Sequence, residues 1–141
     1  MYEFRNRVYL ETEGISKIDF GANKVYEIAP ASEFGGRDEL LSPEDMFVGA
    51  VNSCLMMTFF YFINKSGISL VSYEASGKGI VEKGKDGLKF TAVNIEAIAV
   101  IDSEELTEQI KRAGELAEKY CLVSKSLACD VQYDLQIKVK K

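Results

Sequence analysis

The sequence predicts an α+β domain in which antiparallel strands curve around one long apolar helix. Three observations lead there. Residues 46–63 form a stretch of eighteen residues without a charge, bounded by helix start and stop signals. Segments with side chains alternating in polarity lie on both sides of it, joined by connections short enough for hairpins. Residues 102–120 carry a one-sided apolar stripe at helical spacing under a charged face. A length of 141 residues suits one domain, 1–141, built on one core.

Taken in order, residues 2–10 set Tyr2, Phe4, Val8 and Leu10 against Glu3, Arg5 and Arg7, which predicts a strand. Gly14 marks a turn. Residues 15–20 and 24–28 read as short strands joined at Gly21-Ala22-Asn23. Residues 30–41, PASEFGGRDELL, have the composition of a surface loop that delivers the chain to the central helix. That helix opens with Ser42 as cap, Pro43 at the first helical position and Asp45 completing an S-x-x-D box, and Gly67 can close it. Its few polar side chains are Asn52, Ser53, Cys54, Thr58 and the phenol of Tyr61. A helix apolar nearly all round must be buried on every side, by protein or by lipid.

Strand composition returns in 68–76, is interrupted at Gly77-Lys78-Gly79, and resumes at Ile80-Val81 before a turn over 82–87. Residues 88–101 predict a long strand, with Val93, Ile95, Ala97, Ala99 and Ile101 on one face. The second helix starts at Asp102, whose D-x-x-E spacing to Glu105 is a capping box, and its apolar positions are Leu106, Ile110, Ala113, Ala117 and Tyr120. Around Tyr120-Cys121 the pattern either continues or restarts as a short helix through Leu127, and a last strand over 131–139 completes the chain. One sheet cannot cover all sides of 46–63, so a second copy of the chain is expected to cover the rest.

Eighteen uncharged residues also reach the threshold for a spanning helix. Against a membrane partner, the flanks carry no basic bias beyond Lys65, and the remaining chain is patterned as amphipathic strands and a charged helix. A net charge of −5 with only four arginines, Arg5, Arg7, Arg37 and Arg112, leaves no clustered positive field for nucleic acid. Histidine is absent, which removes Ser-His-Asp and Cys-His designs and leaves only carboxylates and scattered cysteines for a metal. No metal and no cofactor is expected. The N-terminal MYEFRNRVYL lacks an apolar leader, and three cysteines without one fit a reducing, cytoplasmic compartment.

Cys54 lies in the middle of the first helix and Cys121 near the end of the second. Thiols on two packed helices can work as a redox couple, one oxidised to a sulfenic acid and the other condensing with it. They can equally serve as small buried hydrophobes. Cys129, at the start of the last strand, is assigned to packing. The cluster Phe59, Phe60, Tyr61 and Phe62 suits core packing, with the lining of an apolar pocket as the alternative.

The segment SPEDMFVGAVNSC, with Glu44 ten residues before Cys54, followed later by YCLVSKSLA, resembles the two signature segments of the OsmC/Ohr family of thiol-dependent peroxidases. The resemblance implies an intertwined homodimer with antiparallel sheets wrapped around long central helices and active sites at the subunit interface. It implies Cys54 as the thiol that attacks an organic hydroperoxide or hydrogen peroxide, Cys121 as the resolving thiol, and an external dithiol reductant. Glu44 matches the family's motif glutamate, which helps hold an arginine beside the reactive thiolate. Ten residues of helix put Glu44 about 15 Å along the axis from Cys54 and about 80° round it, so Glu44 is expected to serve the partner's site. The family's arginine has no motif match in this chain; Arg37, in Gly35-Gly36-Arg37-Asp38, is the best placed, with Arg5 and Arg7 as alternatives. Leu122 stands where the family usually has proline.

Overall fold

Short alternating segments separated by turn residues can pair only with their neighbours, and the first part of the chain does so. The computed structural model describes residues 1–141, which divide into two compact units, 1–47 and 48–141. In the first, β1 (Arg7–Leu10), β2 (Ser16–Asp19) and β3 (Val25–Ile28) form an antiparallel sheet in sequence order. The strand expected over 2–10 is confined to β1: Tyr2 and Phe4 lie ahead of it, more than nine-tenths exposed, with no neighbouring strand to pair them. The β2–β3 turn at Gly21-Ala22-Asn23 holds all three residues at positive φ, which reverses the chain within the hairpin.

The central helix α1 (Pro43–Lys65) begins in the first unit and runs into the second. Its start is a reciprocal box: Asp45 N–H donates to Ser42 Oγ at 3.0 Å, and Ser42 N–H donates to the Asp45 carboxylate at 3.0 Å. Four positions one turn apart, Val51, Leu55, Phe59 and Ile63, are 0–2% exposed. The opposite side is open, with Met57 at 55% and Tyr61 at 58%. One chain therefore buries a stripe of α1 and not its whole circumference. By length and composition alone α1 could also cross a membrane.

The second unit carries the sheet β4 (Ser72–Gly84), β5 (Gly87–Ile101) and β6 (Asp130–Val139), in that order. β4 and β5 form an antiparallel hairpin closed by Lys85-Asp86, with Gly87 at φ 100° taking the turn conformation that a side chain would resist. β4 runs through Gly77-Lys78-Gly79 without the expected interruption. Those glycines are instead where α1 comes close: a Cβ at Gly79 would stand 2.6 Å from Val48 Cγ2, and one at Gly77 3.2 Å from Val48 Cγ1. Asn52 Nδ2 donates to the Ala75 carbonyl at 3.2 Å, fixing α1 to β4 at the same level.

β6 joins β5 in parallel, although the short connections elsewhere led to an expectation of antiparallel pairing. The reason is the crossover between them, which carries a 3₁₀ turn (Glu104–Leu106), α2 (Thr107–Tyr120) and α3 (Leu122–Lys125). The expected cap Asp102 is displaced by Ser103, whose Oγ accepts from Glu105 N–H at 3.4 Å. α2 buries Ile110, Ala113, Gly114 and Ala117, while Tyr120, expected on the buried stripe, is 50% exposed. The core of the unit is the inner face of β5, where Val93, Ile95, Ala97, Ala99 and Ile101 are all at most 1% exposed.

Candidate functional site

Helical geometry puts residues 54, 58, 61 and 65 of α1 on one side of the helix. Cys54, Thr58, Tyr61 and Lys65 accordingly line one groove of about 740 Å³, together with Met57, Phe62, Leu116, Tyr120 and Leu122. Phe62 meets Tyr120 at 5.9 Å between ring centroids, and Tyr61 meets Phe62 edge-on at 5.1 Å, so aromatic rings form much of the wall. Lys65 is the one charged residue in the lining, and its ammonium lies 5.8 Å from the Tyr61 ring centre.

Cys54 is half-buried and Cys121 is fully buried; both are free thiols. The fold brings the two together. Burial pushes the Cys121 thiol up, the hydroxyl and N–H of Ser124 oppose that, and the neighbouring Cys54 thiol pushes it further up. The other polar neighbour of the Cys54 sulfur is Thr58, with Oγ1 at 3.9 Å. The same hydroxyl donates to the Cys54 carbonyl at 2.7 Å. α2 ends at Tyr120 and α3 restarts at Leu122, leaving Cys121 as the residue between them with φ −65° and ψ 107°. Its carbonyl accepts from Lys125 N–H at 3.1 Å and from the Ser124 hydroxyl at 3.2 Å. The helix thus restarts with leucine where proline would have favoured it.

Arg37 and Glu44 fall in the first unit, where both line a second cavity of about 230 Å³ with Ser42, Asp45, Glu33 and Asp38. They share that cavity without pairing: Arg37 Nε donates to Glu39 at 2.7 Å, and Glu44 has no arginine on it. Arg5 pairs with Glu3 at 2.6 Å, and Arg7 reaches Asp19 at 3.4 Å and lies over the Tyr9 ring. None of the three arginines considered from the sequence is among the residues lining the Cys54 groove. No cluster of histidine, cysteine and carboxylate side chains suited to a metal is present.

Cys129 is half-buried just ahead of β6. Of the aromatic cluster, Phe59 is fully buried and Phe60 meets Tyr73 edge-on at 5.3 Å, whereas Tyr61 and Phe62 face the groove, so the core and pocket readings each hold for part of it. Beneath this cluster the Tyr73 and Tyr133 hydroxyls share a 2.8 Å hydrogen bond. Sequence reasoning gave no site role to Thr58, Lys65 or Leu116, and it assigned Tyr120 to packing. Counting four, three and four residues onward from Cys54 along the helix, to Thr58, Tyr61 and Lys65, would have found Thr58 and Lys65.

Residues 36–136 match the family model of OsmC-like proteins, a span that includes both Cys54 and Cys121. The chain belongs to the OsmC-like family. Its fold is similar to that of an OsmC-like protein of unknown function from Vibrio cholerae, at TM-score 0.85 and 20% identity over 96% of this chain and 99% of that one. It is also similar to an organic hydroperoxide resistance protein from Elizabethkingia anophelis, at TM-score 0.74 and 16% identity over 99% and 98% of the two chains. A sequence relative, the uncharacterised protein YmaD of Bacillus subtilis, is 23% identical over 121 residues, 84% of this chain and 81% of the relative. Within the OsmC-like fold, then, this chain keeps two adjoining thiols and surrounds the outer one with apolar side chains and a lysine.

Proposed function

We propose that this OsmC-like protein is a thiol-dependent peroxidase that reduces organic hydroperoxides or hydrogen peroxide through Cys54 and Cys121. The observation that carries the proposal is a half-buried thiol, Cys54, lining an apolar groove, with the fully buried thiol of Cys121 near enough to act on it electrostatically. The accessible thiol, Cys54, takes the role of attacking group. Its thiolate attacks one peroxide oxygen, the S–O bond forms as the O–O bond breaks, and the alkoxide leaves as the alcohol after taking a proton. Sulfur is oxidised by two electrons to a sulfenic acid. The Cys121 thiolate then attacks that sulfur, the disulfide forms, and hydroxide leaves as water. An external dithiol returns the two electrons, and no cofactor takes part.

A second copy of the chain completes the protein in this reading. Supporting it is the open side of α1, where Met57 and Tyr61 stand more than half exposed in a helix of otherwise apolar composition. The chain works as one OsmC-like domain over 1–141, in an intertwined homodimer that buries this side. Glu44 of each subunit then serves the site of the other, with Arg37 as the arginine it holds once Arg37 leaves Glu39. Free thiols suit a reducing cytoplasm.

The test is stoichiometric cumene hydroperoxide added to reduced protein, with free thiols counted in the wild type, Cys54→Ser and Cys121→Ser. Two thiols lost together in the wild type and none in Cys54→Ser is the expected result. No rapid loss in the wild type overturns the proposal. One observation favours a second reading, a redox sensor or a binder of a small apolar molecule without efficient turnover: the lining of the Cys54 groove is mostly apolar, and its one charged residue is Lys65. Tight binding of an apolar fluorophore, displaced by hydroperoxides that leave the thiols intact, would select it.

A further inference from the structure

A reactive thiol needs a group that favours its ionised form, and Cys54 has few to draw on. It sits in the middle of a 23-residue helix, beyond the reach of either helix terminus. The charge in its groove, Lys65, is eleven residues on, about 16 Å along the axis. Cys121 offers a second thiol that is itself buried and pushed up. What remains is the Thr58 hydroxyl, 3.9 Å from the sulfur.

We propose that Thr58 is a catalytic residue of the Cys54 site, whose hydroxyl hydrogen rests on the Cys54 carbonyl and turns onto the sulfur as the thiolate forms. A threonine hydroxyl has one hydrogen and two lone pairs. In the resting arrangement the hydrogen is committed to the Cys54 carbonyl at 2.7 Å, so only lone pairs face the sulfur. They accept the S–H of a neutral thiol and repel a thiolate. Rotation about the C–O bond reverses this, and a small shift of the side chain shortens the 3.9 Å separation to a bonding distance. In a helix β-branching leaves Thr58 two main rotamers, and the bond to the Cys54 carbonyl selects this one. The carbonyl is not orphaned when the hydroxyl leaves, because the helical ladder still supplies it with the Thr58 backbone N–H.

The exchange favours the thiolate. A hydrogen bond to an ionised acceptor is roughly twice as strong as a neutral one, so the bond gained on sulfur outweighs the one given up on the carbonyl. Thr58 neither gains nor loses a proton in the process; it lowers the cost of Cys54 losing one. The inference rests on reading Cys54 as the reacting thiol, and its test is chosen to stand without a peroxide.

Alkylation of Cys54 by iodoacetamide is followed by peptide mass spectrometry on the reduced full-length protein between pH 6 and 10. The proteins are the wild type, Thr58→Val, which is close in shape, and Thr58→Ser, which keeps the hydroxyl. Thr58→Val is expected to move the midpoint of the rate profile upward by about one pH unit, a roughly tenfold slower alkylation below the midpoint. Thr58→Ser is expected to restore the wild-type profile. Should Thr58→Val fail to fold, judged by circular dichroism, Thr58→Ala takes its place. Superimposable profiles for wild type and Thr58→Val, a downward shift, or a serine variant that behaves like valine would each overturn the inference. Parallel addition of cumene hydroperoxide separates the two claims: a shifted alkylation profile in a protein whose thiols survive the peroxide keeps Thr58 as the control on Cys54 ionisation and discards the peroxidase reading.

Discussion

The Tyr73–Tyr133 pair makes a prediction whose size can be worked from the fold. Tyr73 is level with Ala99 on one side of β5, and Tyr133 with Ile95 on the other. They reach each other over the small side chain of Ala97, hydroxyl to hydroxyl at 2.8 Å. Tyr133 is 8% exposed and Tyr73 half-buried, so the two hydroxyls are unequal. Tyr73→Phe strands the more buried hydroxyl, and an unpaired buried group costs about 1–3 kcal/mol; the expected loss is near 2 kcal/mol. Tyr133→Phe strands a hydroxyl that water can partly reach, and about 1 kcal/mol is expected. The double variant removes both polar groups together, so it should be less destabilised than the sum of the two, by at least ~1 kcal/mol. Urea unfolding at fixed protein concentration measures all four proteins, with unchanged m-values as the check that compactness is the same. Strict additivity, or a double variant worse than the sum, would refute the argument. Both phenols are pushed up chiefly by burial, so they stay neutral in the folded protein while the unfolded chain ionises them above about pH 10. The pair's stabilisation is therefore full below that value and is lost as pH rises past it.

Three further outcomes are expected. Phe59→Ala removes a fully buried ring that lies 5.4 Å from Tyr73, and should cost about 3–5 kcal/mol, read as a lower melting temperature. Because burial raises the Cys121 thiol, closure of the disulfide should accelerate roughly tenfold per pH unit between pH 6 and 8, so a dimedone-trappable sulfenic acid at Cys54 should last longer in acid. Mixing inactive Glu44→Ala and inactive Cys54→Ser subunits, unfolded and refolded together, should restore peroxide turnover, since one of the two sites in a heterodimer then has both groups; no recovery counts against Glu44 acting across an interface.

The fold was legible where local chemistry decides the outcome. The Ser42–Asp45 box formed as its spacing implied, because both partners lie within one turn and compete with nothing else. The alternation of Val93 through Ile101 gave the buried face of β5 residue by residue. What escaped were outcomes set by distant neighbours. The parallel joining of β6 depends on how α2 crosses the sheet, and nothing in 130–139 itself encodes a direction. Gly77 and Gly79 looked like a break because glycine weakens a strand, yet here they make room for Val48, a residue some thirty positions earlier. In the site, the adjoining thiols were expected through family likeness, since their separation in sequence carries no motif. Arg37 shows the limit: its neighbour Glu39 claims the guanidinium, a local ion pair that a reading of loop position alone passes over.

The crossover that makes β6 parallel to β5 also carries the second thiol, Cys121. The β4–β5 hairpin closes over two residues, but β6 cannot dock until the whole crossover from Ile101 to Asp130 has been made and has folded back. Cys121 belongs to that crossover, whereas Cys54 is in a helix made far earlier during synthesis. An emerging chain thus presents Cys54 for some time before Cys121 exists. Under the proposed peroxidase reaction, oxidation in that interval would leave a sulfenic acid that Cys121 is not yet there to resolve, so a newly made chain would be more exposed to irreversible oxidation than the finished one.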